Sequence, residues 1–258
     1  MSIPFLLAFQ ALSSIVLFIV PAWIIAYIIG KKMPMKWLHW QLKTPMNWHI
    51  ALTAAGIMVA AQPLINCLSY WNQQLSLPAS MAGLEAKMKQ MEDVSAQLLE
   101  SFMRYSNGNL GWMLLLLIVL AIIPAIGEEM TFRGMLQRII PNPHVSVWVI
   151  AFVFSAVHMQ FYGFVPRMLL GAMLGYTLVW TGDLRYSMIA HATNNGMVVL
   201  LFFIMEYLFH IPVANYETLG VGDTLWLTLL SIPVTAILII RLRHLCIQQG
   251  CVMKSTRD

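Results

Sequence analysis

Charge is what this chain has least of: only 10% of its 258 residues are Asp, Glu, Lys or Arg, against 59% hydrophobic. A soluble domain of this length carries about a quarter charged residues. The deficit, with a mean hydropathy of +0.73, argues against a soluble globule and for a polytopic membrane protein. Cysteine is scarce too. Cys67, Cys246 and Cys251 are odd in number and have neither CxxC nor metal-finger spacing, so no disulfide framework or thiol chemistry is indicated and small apolar fillers are expected. The first apolar run lacks the basic leader of a secretory signal and is too long for its apolar region, so it reads as a retained helix. The basic residues neither cluster nor alternate with aromatics. The net charge of +4 therefore gives no indication of a nucleic-acid partner.

What the chain does have is apolar runs near the roughly 20 residues that cross hydrocarbon. They fall at about 5–29, 49–70, 110–127, 146–162, 164–180, 187–209 and 224–240. The expected fold is all-α, a transmembrane bundle of about seven spans, with the fifth the shortest. Lys31, Lys32, Lys36 and Lys43 follow the first run in a short loop, and positive loops stay cytoplasmic. Alternation then puts Arg133, Arg138, Arg185 and the tail Arg241, Arg243, Lys254 and Arg257 on the same side, which accounts for most of the 15 Lys and Arg residues. The expected topology has the N-terminus outside and the C-terminus cytoplasmic, most simply in a bacterial inner membrane.

The chain divides into N-terminal membrane helices with an extramembrane loop (1–108), a polar-bearing core (109–210), and a last span with its tail (211–258). Between about 71 and 108, Met81, Leu84, Met88, Met91, Leu98 and Phe102 recur at helical spacing among charges. This predicts an amphipathic helix that lies on the outer leaflet, packs on the bundle or covers a cavity. Pro124, one turn before Glu128, is placed to tilt that region. Gly171 and Gly175 form a small-xxx-small pair that signals close packing alone. Neither an internal repeat nor a low-complexity tract is present.

Three polar groups interrupt the apolar spans. Glu128 and Glu129 are followed four residues later by Arg133, and a carboxylate at the bilayer centre costs roughly 2.5–3.5 kcal/mol unless it faces protein or water. Glu129 and Arg133 are i,i+4 neighbours on a helix, whereas Glu128 points about 100° away. Arg133 is thus expected to neutralise Glu129 and leave Glu128 to face the site. Phe154 and His158 share a face of the next span. Counted from the Pro141-Asn142-Pro143 turn, Glu128 and His158 both lie roughly 21–24 Å along their helices, so an antiparallel pair brings them to one depth. His191 and Asn195 form a third stripe at i,i+4. Counted from Gly182-Asp183, His191 lies only roughly 12 Å deep, so the Pro-Asn-Pro turn must protrude for all three to meet. Taken singly, each has a structural reading as an ion pair or an interhelical hydrogen bond. His39, His49, His144, His210 and His244 sit at span ends and receive no role.

The same residues resemble a known family. Glu128-Glu129-Met130-Thr131-Phe132-Arg133 fits EExxxR, Phe154-Ser155-Ala156-Val157-His158 fits FxxxH, and His191-Ala192-Thr193-Asn194-Asn195 fits HxxxN. These are, in order, the motifs of the CAAX prenyl endopeptidase and bacteriocin-processing family of intramembrane proteases. The resemblance covers about residues 110–210, and the seven spans counted here differ from the eight of the family's eukaryotic prenyl-protein endopeptidase. It implies an endopeptidase acting on a membrane-associated protein or peptide, with the first glutamate as base and the third motif as oxyanion hole. Peptide hydrolysis needs an activated water, oxyanion stabilisation and a proton for the leaving amine. Glu128 with His158 can supply the first, and His191 with Asn195 the second.

Glu128, His158 and His191 would also serve as a Zn²⁺ ligand set with an open fourth position. A cofactor-free glutamate mechanism is favoured because HExxH spacing is absent and Arg133 works against a bound cation. Two other classes compete: a non-catalytic membrane binding or immunity protein, and a proton-coupled transporter, against which the lack of an inverted repeat counts. Nothing in the sequence marks a prenyl-binding groove or an oligomeric state.

Overall fold

The computed structural model describes residues 2–30, 38, 40, 44–211 and 219–251. Lys31, Lys32, Lys36, Lys43, Lys254 and Arg257, on which part of the orientation rests, and His39 lie outside the described residues. Among the described residues, six apolar helices are long enough to cross a bilayer: α1 (Ile3–Ile29), α2 (Trp48–Gln73), α4 (Leu110–Arg138), α6 (Phe161–Thr181), α7 (Leu184–Leu208) and α8 (Gly222–Gln248). Between them stand an extramembrane helix, α3 (Ala82–Arg104), and a shorter apolar helix, α5 (Pro143–Ala156). No strand occurs among the described residues, and the chain is a polytopic helical membrane protein. Its outer surface fits lipid: Phe9, Leu17 and Ile28 on α1 and Trp226, Leu229, Ile237 and Ile240 on α8 are exposed.

The short span is the fourth, not the expected fifth. Asn142 caps α5, its side chain accepting from the N–H groups of His144 and Val145 at 2.9 and 3.1 Å, with Pro143 at the first helical position. At the far end Met159 takes a left-handed backbone (φ +55°), which stops the helix after 14 residues. That is roughly 21 Å of rise, less than the hydrocarbon thickness. His158 therefore lies beyond the helix end, not on the face of a continuing span. The Pro-Asn-Pro turn and the residues beside it, 141–145, are exposed.

Prolines shape α1 and α4. Each contains a wide π turn, Ile15–Ile19 and Leu117–Ile122, immediately followed by a segment whose second residue is Pro21 or Pro124. A proline has no N–H to give and its ring crowds the carbonyl four residues back, and the wider turn relieves both. A further π turn, Glu129–Met135, carries the acidic motif itself, and such turns often sit at functional sites.

Contacts across the bundle are close where side chains are small. Gly127 is tucked against α1: a Cβ there would stand 3.0 Å from Phe18 Cβ and Ile19 Cγ1. Thr131 Oγ1 donates to the Phe18 carbonyl at 3.0 Å, so α1 is fastened to the turn that bears the acidic pair. Gly171 and Gly175 let α6 approach Ala151, Phe154 and Val147 of α5.

The amphipathic helix packs on the bundle. Phe102 and Met103 are buried with Leu7, Met113 and Val199. Tyr162 donates its hydroxyl to Glu85 at 2.9 Å and its N–H to Glu92 at 3.2 Å. Hydrogen bonds from Lys89, Tyr162 and the Leu77 N–H hold the Glu85 carboxyl below the usual range. Burial pushes Glu92 the other way.

Gly127→Ala should lower stability by roughly 1–3 kcal/mol through overpacking against α1. Gly83→Ala, in open space on α3, should raise it by up to about 1 kcal/mol through helix propensity. Denaturant midpoints in detergent would show the opposite signs.

Candidate active site

The acidic pair divides as the helical geometry predicts. Glu129 is fully buried and so is Arg133 (0% exposed each), with Arg133 Nη1 donating to Glu129 Oε1 at 2.8 Å. A π turn keeps residues four apart adjacent, so the pair survives the irregular winding. The Arg133 guanidinium also donates from Nη2 to the Gly171 carbonyl at 2.9 Å and lies 4.4 Å over the Phe154 ring. The small residue at position 171 thus adds a function to packing, because it brings a backbone oxygen of α6 within reach of a buried cation.

Glu129 is the hub. Its Oε1 also meets His191 Nδ1 at 2.8 Å, and its Oε2 meets the Ser187 hydroxyl at 2.6 Å. Ser187 lies 2.9 Å from the Leu174 carbonyl as well, but a hydroxyl has one proton and the shorter contact, to the carboxylate, takes it. Ser187 was not picked out from the sequence. Its signal was there, because residues 187, 191 and 195 form one i,i+4,i+8 stripe.

Glu128 faces the open side of this network. Its side chain is 13% exposed, and its Oε2 stands 3.7 Å from His191 Nε2. That exceeds a hydrogen bond, but one water placed beside both atoms can bond to each. The His191 Nδ1 proton is committed to Glu129, so Nε2 is the ring atom presented to Glu128. His158 sits past the end of α5, and its Nδ1 lies 2.7 Å from the Phe154 carbonyl. A carbonyl only accepts, so Nδ1 carries the proton, and in the neutral ring Nε2 is then the acceptor. The Phe154 ring joins the parts, 5.0 Å from His158 and 5.9 Å from His191 in edge geometry.

Asn195, one turn beyond His191 on α7, accepts at Oδ1 from Asn194 Nδ2 at 3.2 Å. Asn194 in turn accepts from Gln62 Nε2 of α2 at 2.9 Å. Arg167 of α6, hydrogen-bonded to Gln160, is within Coulombic reach of Glu128 and His158. Sequence reading singled out neither Gln62 nor Asn194 nor Arg167, since no short spacing links them to the motifs. Among the described residues, no three His, Cys, Asp or Glu side chains group closely enough to hold a metal ion. Glu128, His158 and His191 do not form such a set.

The fold and this cluster define a class: a helical membrane protein with an ionic and hydrogen-bonded network inside its bundle. Residues 110–197 match the model of the family described as type II CAAX prenyl endopeptidase, Rce1-like. The resemblance read from the three motifs holds, and the matching stretch contains all six candidate site residues. The chain is also similar to the uncharacterized protein YpbD of Bacillus subtilis (strain 168), 33% identical over 79 residues. That match covers 29% of this chain and 39% of YpbD. No solved structure matches the chain.

Arg133→Leu leaves a buried carboxylate uncompensated and should cost about 3–5 kcal/mol. Adding Glu129→Gln removes the orphaned charge while keeping an acceptor for His191, and should restore roughly 1–2 kcal/mol of that loss. Unfolding midpoints of the single and double variants in detergent decide it; a double variant less stable than Arg133→Leu means the two side chains are not coupled.

Proposed function

We propose that this protein is an intramembrane endopeptidase that hydrolyses a peptide bond in a membrane-associated protein or peptide. The reading is carried by one observation: an exposed-edge carboxylate, Glu128, faces an imidazole whose other nitrogen is fixed by a second, fully buried carboxylate. Such an arrangement separates a working acid–base group from a positioning one. The Rce1-like match over the segment that holds both carboxylates supports it.

Glu128 accepts a proton from a water held also by His158 Nε2, and the water oxygen bonds to the scissile carbonyl carbon as the C=O electrons move to oxygen. The oxyanion takes hydrogen bonds from His191 Nε2–H and the Asn195 amide. Donating from Nε2 while Nδ1–H stays on Glu129 requires the ring to carry both protons, and Glu129 supplies the countercharge. Collapse of the intermediate breaks the C–N bond, and Glu128 returns its proton to the leaving nitrogen. Glu129 and Arg133 hold this geometry in place. In this mechanism no step runs through a metal, and no cofactor is required.

The catalytic core is the 109–210 region. The protein resides in a bacterial inner membrane with its N-terminus outside and its C-terminus cytoplasmic. Support comes from Arg185, which bonds to the Thr44 carbonyl at 3.0 Å, and from the way Arg138, Arg185, Arg241 and Arg243 fall at the helix ends opposite to α3. The partners are the bilayer and the peptide substrate, with no nucleic acid.

Glu128→Gln keeps size and hydrogen bonding but removes the base, and should lower peptidase turnover by about 10²–10⁴-fold with the unfolding midpoint maintained. Comparative proteomics of membrane peptides, wild type against Glu128→Gln, reads catalysis and substrate together. Identical peptide profiles from the two strains would sink the protease reading in favour of a binding protein. Proteolysis by purified protein should persist after exhaustive chelation.

A further inference from the structure

We propose that Gln62 and Asn194 are positioning residues that fix the side-chain amide of Asn195 with its N–H groups turned toward the reacting carbonyl. The inference rests on the oxyanion role proposed for Asn195. It extends the site to α2, which lies outside the segment that matches the family.

A carboxamide has two faces, and only one presents donors: a flip of the Asn195 side chain would direct Oδ1 at a developing negative charge and repel it. His191 is anchored by Glu129. Asn195 has no charged anchor, and its orientation is set by a chain of amides that has a direction. Gln62 Nε2 donates to Asn194 Oδ1 at 2.9 Å, and Asn194 Nδ2 donates to Asn195 Oδ1 at 3.2 Å. Because Asn194 receives on its oxygen, its nitrogen is turned to Asn195, and because Asn195 receives on its oxygen, its own nitrogen points away from Asn194. All three residues are half-buried within spans, where unsatisfied amides are costly and hydrogen-bond partners hold their geometry.

The alternative role for Gln62 and Asn194 is interhelical glue between α2 and α7, and two variants separate it from positioning. Gln62→Leu removes the first donor and the tether together. Asn194→Asp keeps an acceptor for Gln62, and hence the tether, but has no N–H for Asn195, whose amide then flips to give its own nitrogen to the new carboxylate. Misplacing an oxyanion donor costs a share of the roughly 10²–10³-fold that its deletion costs. The expected outcome is a fall in kcat of about tenfold for Gln62→Leu and about 10²-fold for Asn194→Asp, with KM within about twofold of wild type. In an Asn195→Ala background neither change should lower kcat by more than a further twofold or so, since nothing is left to orient.

A second measurement does not depend on activity. With ¹⁵N-labelled asparagine, the Asn195 side-chain amide signal, assigned by its loss in Asn195→Ala, should shift in both variants. Losses that recur in full in the Asn195→Ala background, or an Asn195 signal unmoved in both variants, overturn the proposal. If the wild type has no peptidase activity the protease reading fails by itself, and the amide signal alone then decides whether Gln62 and Asn194 orient Asn195.

Discussion

Much of this bundle depends on keeping one carboxylate, Glu129, ionised where no water reaches it. A charge in that position is tolerated only when its hydrogen-bonding capacity is filled and a countercharge stands beside it. Arg133, His191 and Ser187 meet those needs from two helices. Arg133 extends the network to a third through the Gly171 carbonyl and to a fourth through the Phe154 ring. The relative placement of α4, α5, α6 and α7 follows from these few contacts, because sliding any of them by one turn would strand a charge.

Hydrocarbon supplies no hydrophobic drive for helix association, so the remaining cohesion comes from close backbone approach and from hydroxyls that donate to carbonyls. Gly127, Gly171 and Gly175 provide the first. Thr131 to Phe18, Thr228 to Pro63 and Ser231 to Ala60 provide the second. The hydroxyls of Thr228 and Ser231 donate to carbonyls of α2 at and just before its internal Pro63. Loop-side glutamates play a comparable part outside the bilayer, where Glu85 and Glu92 tie α3 to the Tyr162 turn.

The helical class, the span positions and the Glu129–Arg133 pair were legible in the sequence, because each rests on a local period: about 20 apolar residues for a span, four residues for a salt bridge on one face. The amphipathic helix was legible for the same reason. The length of the fourth span was not, since apolar composition runs past Ala156 while the helix stops where Met159 turns left-handed and His158 binds the Phe154 carbonyl. Nor was the dual engagement of His191, whose two nitrogens address both glutamates. Contacts such as Gln62 to Asn194 join residues 132 positions apart, and no spacing rule reaches that far. The expected depth mismatch between His191 and Glu128 disappears because α4 ends at Arg138, before the Pro-Asn-Pro turn from which depth was counted.

The wide turns of α4 bear on how the gene can change in length. A π turn encloses one residue more than an α turn, so each acts as a stored insertion whose removal leaves the flanking register intact. In Leu117–Ile122 that slack is locked: with a regular turn restored, the Pro124 ring would meet the carbonyl of Leu120. A codon lost between Ile123 and Glu128 has no such reserve and would rotate the acidic pair by about 100° away from α7. The spacing from Pro124 to Glu129 is therefore held by geometry.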